Sequence, residues 1–333
     1  MIISQTPYRV SFLGGGTDYP QWYREHGGAV IGTAIDKYCY VSVRNLPPFF
    51  EHKHRIVYSN IELVNDVSEI LHPAVNGVLQ EWAGKAGLEI HHDGDCPARS
   101  GLGSSSSFSV GLINAMAAYR GKMIGRTELM REAIRIEQDV IKEDVGSQDQ
   151  AWAAFGGINV IHFESDGRIN VKPIIMSDKR RQALSSHMML FFTGISRIAS
   201  EQAAQTIANL SAKQASLHEM RDLVDIALGL ITDQNKSISE LGRLLHEYWQ
   251  IKKELTPNVT NDHIDTIYGA ALKAGANGGK LLGAGAGGFL LIMADPDKQL
   301  EIRNALSGLT ELIFNIDAPG SRIIVYQPGP DNS

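Results

Sequence analysis

The sequence PARSGLGSSSS, residues 97–107, predicts a phosphate-binding loop that opens directly into a helix. Gly101 and Gly103 allow the backbone to turn tightly and to approach a ligand closely. Apolar residues follow every four positions from Phe108 to Met116, which is typical of a buried helix face. The four serines then occupy the first helical turn, whose free N–H groups and dipole favour a polyphosphate. The alternative is a Gly/Ser loop that merely caps an ordinary helix.

This loop differs from two common phosphate-binding motifs. No Gly-Lys-Ser/Thr follows its glycines, so no lysine is built into the cradle. The GxGxxG spacing of a Rossmann fingerprint is also absent. The charge of a bound phosphate must therefore be neutralised by a metal or by residues elsewhere in the chain.

Composition indicates an ordinary globular enzyme. A length of 333 residues favours two domains, and the net charge of −6 argues against a nucleic-acid partner. The two cysteines, Cys39 and Cys96, are expected to be reduced thiols. The most apolar stretch, Leu281–Ala294, is too short and too rich in glycine to span a membrane. The N-terminus lacks a signal-peptide pattern, so we expect a cytoplasmic protein.

Strand and helix patterns alternate irregularly, which predicts an α+β protein. Met1–Phe12 is expected to form one or two short strands interrupted at Pro7, and Ile158–Phe163 and Ile169–Ile175 a hairpin. A helix is expected over Ser104–Tyr119, and a second over Thr127–Glu143 with Thr127 as its N-cap. The polar stretch Ser177–Ser186 suggests a boundary between domains at residues 1–180 and 181–333. The long helices of the second half could pack internally or form a homo-oligomer.

A second glycine motif, PYRVSFLGGGTD, occupies residues 7–18. Arg9 lies inside an otherwise apolar strand, so it needs a partner and is either a structural ion pair or a site residue. Asp18 could accept hydrogen bonds from sugar hydroxyls or could cap the next helix.

A third glycine motif, KLLGAGAGGF, occupies residues 280–289, and its glycines indicate either close approach to a ligand or tight packing. Between the second and third motifs, Glu137 lies on a predicted helix. Asp149 follows a glycine-containing turn that could bring it into a cleft.

The order of these three motifs resembles the GHMP kinase superfamily, and PxxxGLGSSSS is the most specific of them. The resemblance covers residues 1–326. It implies a two-domain fold, with an N-terminal domain like ribosomal protein S5, a ferredoxin-like C-terminal domain and nucleotide in the cleft between them. Arg99 departs from the pattern, because relatives commonly have a small residue there; it could contact phosphate or point into solvent.

The resemblance also implies ATP and Mg²⁺ as cofactors. The ATP-binding residues would be Pro97, Ser100, Gly101, Leu102, Gly103, Ser104, Ser105, Ser106 and Ser107. Mg²⁺ would be held by Ser104 or Ser105 together with Glu137. Asp149 would accept the proton of the sugar hydroxyl, and Arg9 would stabilise the developing negative charge. The twelve-residue step from Glu137 to Asp149 resembles the step between metal ligand and base in galactokinases.

The expected sugar-binding residues are Gly15, Gly16, Thr17, Asp18, Arg197, Gly285 and Gly287. Arg197 is the candidate ligand for a phosphate already on the sugar, because a guanidinium group matches phosphate geometry. Lys252 and Lys253 are weaker candidates for the same role, and their alternative is a solvated helix end.

Within the superfamily, GGGTD at residues 14–18 and GGKLLGAG at residues 278–285 look most like heptose 7-phosphate kinases. Galactokinases typically have Gly-Glu-His-Thr-Asp at the first position, and fucokinases have a related motif. The leading hypothesis is thus ATP-dependent phosphorylation of D-glycero-D-manno-heptose 7-phosphate at the anomeric hydroxyl. The alternatives are a kinase for free fucose, mannose or galactose, a non-catalytic sugar and nucleotide sensor, and a decarboxylase related to mevalonate-pathway enzymes.

Overall fold

The computed structural model describes residues 1–195, 207–208, 210–255 and 259–328. Its strands are β1 (Ile2–Leu13), β2 (Gly28–Asn45), β3 (His54–Val57), β4 (Ile61–Val64), β5 (Leu88–Gly94), β6 (Ile158–Phe163), β7 (Ile169–Pro173), β8 (Met188–Phe192), β9 (Gly278–Leu281), β10 (Phe289–Met293), β11 (Thr310–Leu312) and β12 (Arg322–Tyr326). Its α-helices are α1 (Pro20–His26), α2 (Pro73–Trp82), α3 (Ser104–Tyr119), α4 (Arg126–Arg135), α5 (Gln148–Phe155), α6 (Asp178–Ser186), α7 (Gln214–Thr232), α8 (Ser239–Leu255), α9 (Asp262–Lys273) and α10 (Gln299–Ala305).

Two sheets organise the described chain. The larger has the order β12-β1-β2-β5-β3-β4. The long strand β2 makes this sheet possible, because its first half pairs with β6 and its second half with β5, while β1 pairs along both halves. Strand β7 extends the sheet beyond β6. The smaller sheet is antiparallel with the order β11-β8-β10-β9.

Helix α3 packs on β1 and β2, so the phosphate loop at its start lies against the centre of the larger sheet. Its buried side chains include Phe108, Leu112 and Met116, as the spacing predicts. Helix α8 packs on β9 of the smaller sheet and on α7. The last strand, β12, returns to pair with β1 in the larger sheet. The proposed domain limits at residues 1–180 and 181–333 stay a prediction.

Two local predictions differ from the structure. Residues 2–13 form one strand, because the break expected at Pro7 is only a register shift between Pro7 and Tyr8. The second helix begins at Arg126 with Gly125 as its N-cap, and it continues as a π-helical turn over Ile136–Val140.

The polar stretch Ser177–Ser186, where the domain boundary is expected, includes helix α6. The hydroxyl of Ser177 caps this helix by accepting a hydrogen bond from the N–H of Arg180 at 3.3 Å. In the part of the chain that the structure describes, no helix is long and apolar enough to cross a bilayer.

Candidate active site

The phosphate loop forms one wall of a cleft. Gly101 and Gly103 have φ angles of +84° and +76°, which side chains rarely tolerate, and Gly103 is the N-cap of α3. No side chain caps this helix start, so N–H groups of its first turn remain free for a ligand. Gly101, Gly103 and Ser104–Ser106 line the cleft. The geometry therefore has what a phosphate cradle needs.

The other loop residues expected to bind ATP do not reach the cleft. Ser100, Leu102 and Ser107 are buried, and the Ser107 hydroxyl donates to the carbonyl of Pro7 at 2.8 Å. Pro97 is exposed and is not among the residues that line the cleft. These four residues shape the loop rather than present side chains to a ligand.

Arg9 and Asp149 form a two-pronged ion pair inside the cleft. The Arg9 Nε atom lies 2.7 Å from Asp149 Oδ1, and Nη2 lies 2.8 Å from Oδ2. Arg9 Nη1 also donates to the carbonyl of Gly101, so the pair is tied to the phosphate loop. Such a fork fixes the carboxylate in one orientation. Asp149 is thus the partner that the buried Arg9 requires. The same geometry is compatible with Arg9 as a structural ion pair and as a site residue.

Glu137 lies behind the loop, and it meets a different serine from those predicted. Its Oε2 atom accepts hydrogen bonds from the Ser106 hydroxyl at 2.9 Å and from the Gln150 amide. The Ser104 hydroxyl instead accepts from the backbone N–H of Arg99 at 3.3 Å, and Ser105 is exposed. The expectation of Ser104 or Ser105 beside Glu137 is corrected to Ser106.

The surroundings of Glu137 fit a cation. The carboxylate is fully buried, and among the described residues its Oε1 atom has no hydrogen-bond partner. Burial raises the pKa of Glu137 to about 7. A π-helical turn, a feature frequent at functional sites, carries this residue. A buried carboxylate with a free oxygen beside a serine hydroxyl suits Mg²⁺, which prefers oxygen ligands.

Three residues of the GGGTD segment, residues 14–18, line the cleft: Gly15, Gly16 and Asp18. Asp18 is almost fully buried, and burial raises its pKa although its Oδ1 atom accepts from the N–H of Gly16 at 2.9 Å. A Cβ atom at Gly146 would lie 1.9 Å from Asp18 Oδ2, so only glycine fits there.

Thr17 does not face the cleft. Its hydroxyl oxygen lies 2.8 Å from the carbonyl oxygen of Gly14 and 3.0 Å from that of Ala29, so its single proton is donated to one of the two, and it accepts from the N–H of Ala29 at 3.1 Å. The side chain is fully buried. The expectation that Thr17 contacts sugar is corrected, because its hydroxyl is committed to holding the turn.

Gly285 and Gly287 both line the cleft and pack tightly against protein. A Cβ atom at Gly285 would lie 2.6 Å from Val259 Cγ2, and one at Gly287 would lie 2.7 Å from the carbonyl oxygen of Ile195. Tight packing therefore explains the glycines at these two positions. Because both residues also line the cleft, a ligand could contact them as well. Arg197 lies outside the described residues.

Two lysines, Lys252 and Lys280, line the cleft, although little in the sequence indicates that position for them. Lys252 is not a solvated helix end: its ammonium group donates to the carbonyl of Gly283 at 2.6 Å. Lys280 is 2% exposed and donates to the carbonyls of Ser11 and Phe12, both at 3.0 Å. Burial lowers the pKa of both, to about 8 for Lys252. The only sequence signal for Lys280 was its place at the start of the third motif.

Comparisons with known proteins agree with this geometry. Residues 67–157 match the model for the GHMP kinases N terminal domain, and residues 227–309 match that for GHMP kinases C terminal. The chain is 29% identical over 317 residues to a D-glycero-alpha-D-manno-heptose 7-phosphate kinase of Campylobacter jejuni, covering 92% of this chain and 93% of that protein. It is 27% identical to a bifunctional fucokinase/GDP-fucose pyrophosphorylase of Arabidopsis thaliana, covering 91% of this chain and 31% of that protein.

A solved structure of similar fold is a D-glycero-D-manno-heptose 1-phosphate kinase from Bacteroides thetaiotaomicron. It superposes with a TM-score of 0.79 at 22% identity, covering 98% of this chain and 100% of that one. This similarity extends the fold assignment across nearly the whole chain. The protein thus belongs to the GHMP kinase family, has its two-domain α+β fold, and is a sugar kinase, a phosphotransferase.

Proposed function

We propose that this kinase transfers the γ-phosphoryl group of ATP to the anomeric hydroxyl of D-glycero-D-manno-heptose 7-phosphate. The product would be the 1,7-bisphosphate, a precursor for nucleotide-activated heptose and cell-surface polysaccharide, made in the cytoplasm. The observation that carries the transfer chemistry is the Arg9–Asp149 fork beside the free start of α3. The choice of sugar is supported by similarity to the Campylobacter jejuni heptose 7-phosphate kinase over 92% of the chain.

The proposed nucleotide site uses backbone amides and a metal. The N–H groups near Gly101–Ser106 would hold the β- and γ-phosphates, as at other helix starts. Glu137 and Ser106 would hold Mg²⁺, which supplies positive charge to the phosphates when bound. The buried, unpartnered Oε1 atom of Glu137 supports this assignment.

Asp149 is the proposed base. The sugar hydroxyl oxygen attacks the γ-phosphorus, the bond from phosphorus to the ADP oxygen breaks, and the hydroxyl proton passes to Asp149. Each carboxylate oxygen of Asp149 accepts one hydrogen bond from Arg9. Each oxygen keeps a second lone pair, which can take that proton. Positioned bases of this kind contribute on the order of 10²–10⁴ in rate.

Asp18 is the proposed ligand for sugar hydroxyls, because it lines the cleft and is buried beside the turn that carries Asp149. Gly15 and Gly16 would let the sugar approach the backbone. Arg197 remains our candidate for the 7-phosphate on sequence grounds. We expect Arg197→Ala to raise the KM for a phosphorylated sugar and to leave the KM for ATP nearly unchanged. Equal effects on both constants would remove Arg197 from this role.

The test is an ADP-release assay with ATP and Mg²⁺ against a panel of acceptors. The panel contains D-glycero-D-manno-heptose 7-phosphate, the unphosphorylated heptose, and free fucose, mannose and galactose. We expect kcat/KM to be at least a hundredfold higher for the heptose 7-phosphate than for the other sugars. Turnover only of free sugars would refute the substrate and retain the kinase chemistry.

A kinase for free fucose is the second candidate. It is favoured by the 27% identity to the Arabidopsis thaliana bifunctional fucokinase, which is close to the value for the heptose kinase. The same panel separates the two, because fucose carries no phosphate.

A further inference from the structure

The phosphate loop lacks the lysine that many nucleotide-binding loops contain, so another group must supply positive charge beside the phosphates. The cleft offers several charged side chains, and cations outnumber carboxylates among those that line it. The cations are Arg9, Arg99, Lys252 and Lys280, and the carboxylates are Asp18, Asp144 and Asp149. Arg9 is already paired with Asp149. A second cation therefore remains for an anionic ligand.

Among the described residues, three of the four cleft cations, Arg99, Lys252 and Lys280, form no ion pair with a carboxylate. The Nζ atom of Lys252 donates to one carbonyl, that of Gly283 at 2.6 Å. Lys253 on the same helix does not line the cleft, and its Nζ atom lies 3.7 Å from Asp265 Oδ1, so it is not a phosphate ligand. Lys252 is half-buried and its ammonium group has a single neutral acceptor, so an anion bound in the cleft would add the charged partner that it lacks.

The position of Lys252 fits the phosphate end of the cleft. The carbonyl it contacts belongs to Gly283, whose own Cβ position would lie 2.7 Å from the Cα atom of Gly101. The ammonium group is therefore next to the loop that would cradle the phosphates. Lys280 lies deeper and spends its hydrogen bonds on the carbonyls of β1, with its Nζ atom 4.8 Å from the ring centre of Tyr248.

We propose that Lys252 supplies the cation absent from the phosphate loop, with its ammonium group binding a γ-phosphate oxygen of the nucleotide during transfer. The proposal rests on ATP as phosphoryl donor and is independent of which sugar accepts. Helix α8 would then contribute directly to a reaction whose other groups, Arg9, Glu137 and Asp149, come from the first half of the chain. The competing role is a brace, in which Lys252 only fixes the loop at Gly283.

The first test compares Lys252→Met and Lys252→Arg, with Lys253→Met as the matched control. The acceptor is whichever sugar the wild type phosphorylates best. We expect Lys252→Met to lower kcat about a hundredfold, as removal of one donor at a developing charge does, with the sugar KM within about threefold. Lys252→Arg should retain most of that activity, and Lys253→Met should match the wild type. Wild-type turnover in Lys252→Met would overturn the proposal.

The second test measures binding by calorimetry and needs no sugar. We expect Lys252→Met to weaken AMP-PNP, which has a γ-phosphate, about tenfold and to leave ADP within about twofold. A brace that positions the whole loop would weaken both nucleotides alike, and that outcome would overturn the proposal. A kinase that rejects the heptose 7-phosphate yet shows this selective loss refutes our choice of sugar and supports the role of Lys252.

A pH profile provides the third readout and remains decisive if Lys252→Met fails to fold. The charges that face Lys252 are Arg9 and Lys280, which disfavour its protonated form, and Asp18, which favours it. With its pKa lowered to about 8, loss of its proton should reduce kcat/KM for ATP above that pH. Lys252→Arg stays charged, so its alkaline decline should disappear. A decline that persists in Lys252→Arg belongs to another group, such as Lys280, and contradicts the proposal.

Discussion

Replacing Gly101 by alanine should break the contact between the phosphate loop and the third glycine motif. A Cβ atom at Gly101 would lie 2.6 Å from the carbonyl oxygen of Leu282, where the obstacle is backbone and cannot rotate away. The φ angle of +84° adds a second cost for any side chain. Gly121 is a matched control, because its φ is +69° and nothing lies within 4 Å of its Cβ position.

The two costs can be separated by comparing the variants. A left-handed backbone costs alanine roughly 1–2 kcal/mol, and both variants incur it. The steric clash adds about 1–3 kcal/mol and applies to Gly101→Ala alone. We therefore expect Gly121→Ala to lower the free energy of unfolding by about 1–2 kcal/mol and Gly101→Ala by about 2–5 kcal/mol. If the loop shifts by about 1 Å to relieve the clash, kcat/KM for ATP should fall on the order of a hundredfold.

Urea unfolding followed by tryptophan fluorescence gives the stabilities, and the ADP-release assay gives kcat/KM. Both should be measured on wild type, Gly101→Ala and Gly121→Ala at one pH. Equal destabilisation in the two variants, or unchanged kcat/KM for ATP in Gly101→Ala, would show that the contact with Leu282 does not hold the phosphate loop in place.

Three further predictions follow from the site. Asp149→Asn should lower kcat by about 10²–10⁴ and keep the affinity for ATP within about threefold; turnover at the wild-type rate would exclude Asp149 as the base. Burial raises the pKa of Glu137 from 4.5 to about 7, so without metal the wild-type free energy of unfolding should decrease by up to about 3 kcal/mol as pH rises through that range. Glu137→Gln cannot titrate at this position. Urea unfolding at pH 5 and pH 8 should therefore show that the wild type loses this stability relative to the variant; a difference in unfolding free energy between the two proteins that does not change with pH would contradict the raised pKa. Thr17→Val should cost about 1–3 kcal/mol in unfolding experiments, because it leaves the buried N–H of Ala29 without its acceptor, while the sugar KM stays near the wild-type value; a raised KM would restore the sugar contact.

Local features of this fold were predictable from the sequence. Helix α3 begins and ends at the predicted residues, because a glycine N-cap and a regular apolar spacing are determined by neighbours in the chain. The hairpin formed by β6 and β7 was predictable for the same reason. Pro7 misled the strand prediction because it removes a hydrogen bond, whereas a register shift in the pairing with β2 accommodates it.

The parts of the site that depend on long-range packing were not predictable. Four adjacent serines look equivalent in sequence, and only the arrival of Glu137 from another helix singles out Ser106. Lys252 and Lys253 are also equivalent in sequence, yet the helix turns one towards Gly283 and the other towards Asp265. The direction of a side chain on a helix is decided by what the helix packs against. The partners of Ser106 and Lys252 each lie 31 residues away in the chain, on a different element, so the residues next to them do not reveal the contact.

The glycines of the third motif pack against the phosphate loop. A Cβ atom at Gly288 would lie 2.3 Å from the carbonyl oxygen of Ser100, and Gly283 abuts Gly101. The N–H of Phe289 also donates to that Ser100 carbonyl at 2.9 Å. Backbone from the second half of the chain thus supports the phosphate loop from behind. A larger residue at Gly288 should therefore displace the backbone at Ser100 and weaken the binding of AMP-PNP measured by calorimetry.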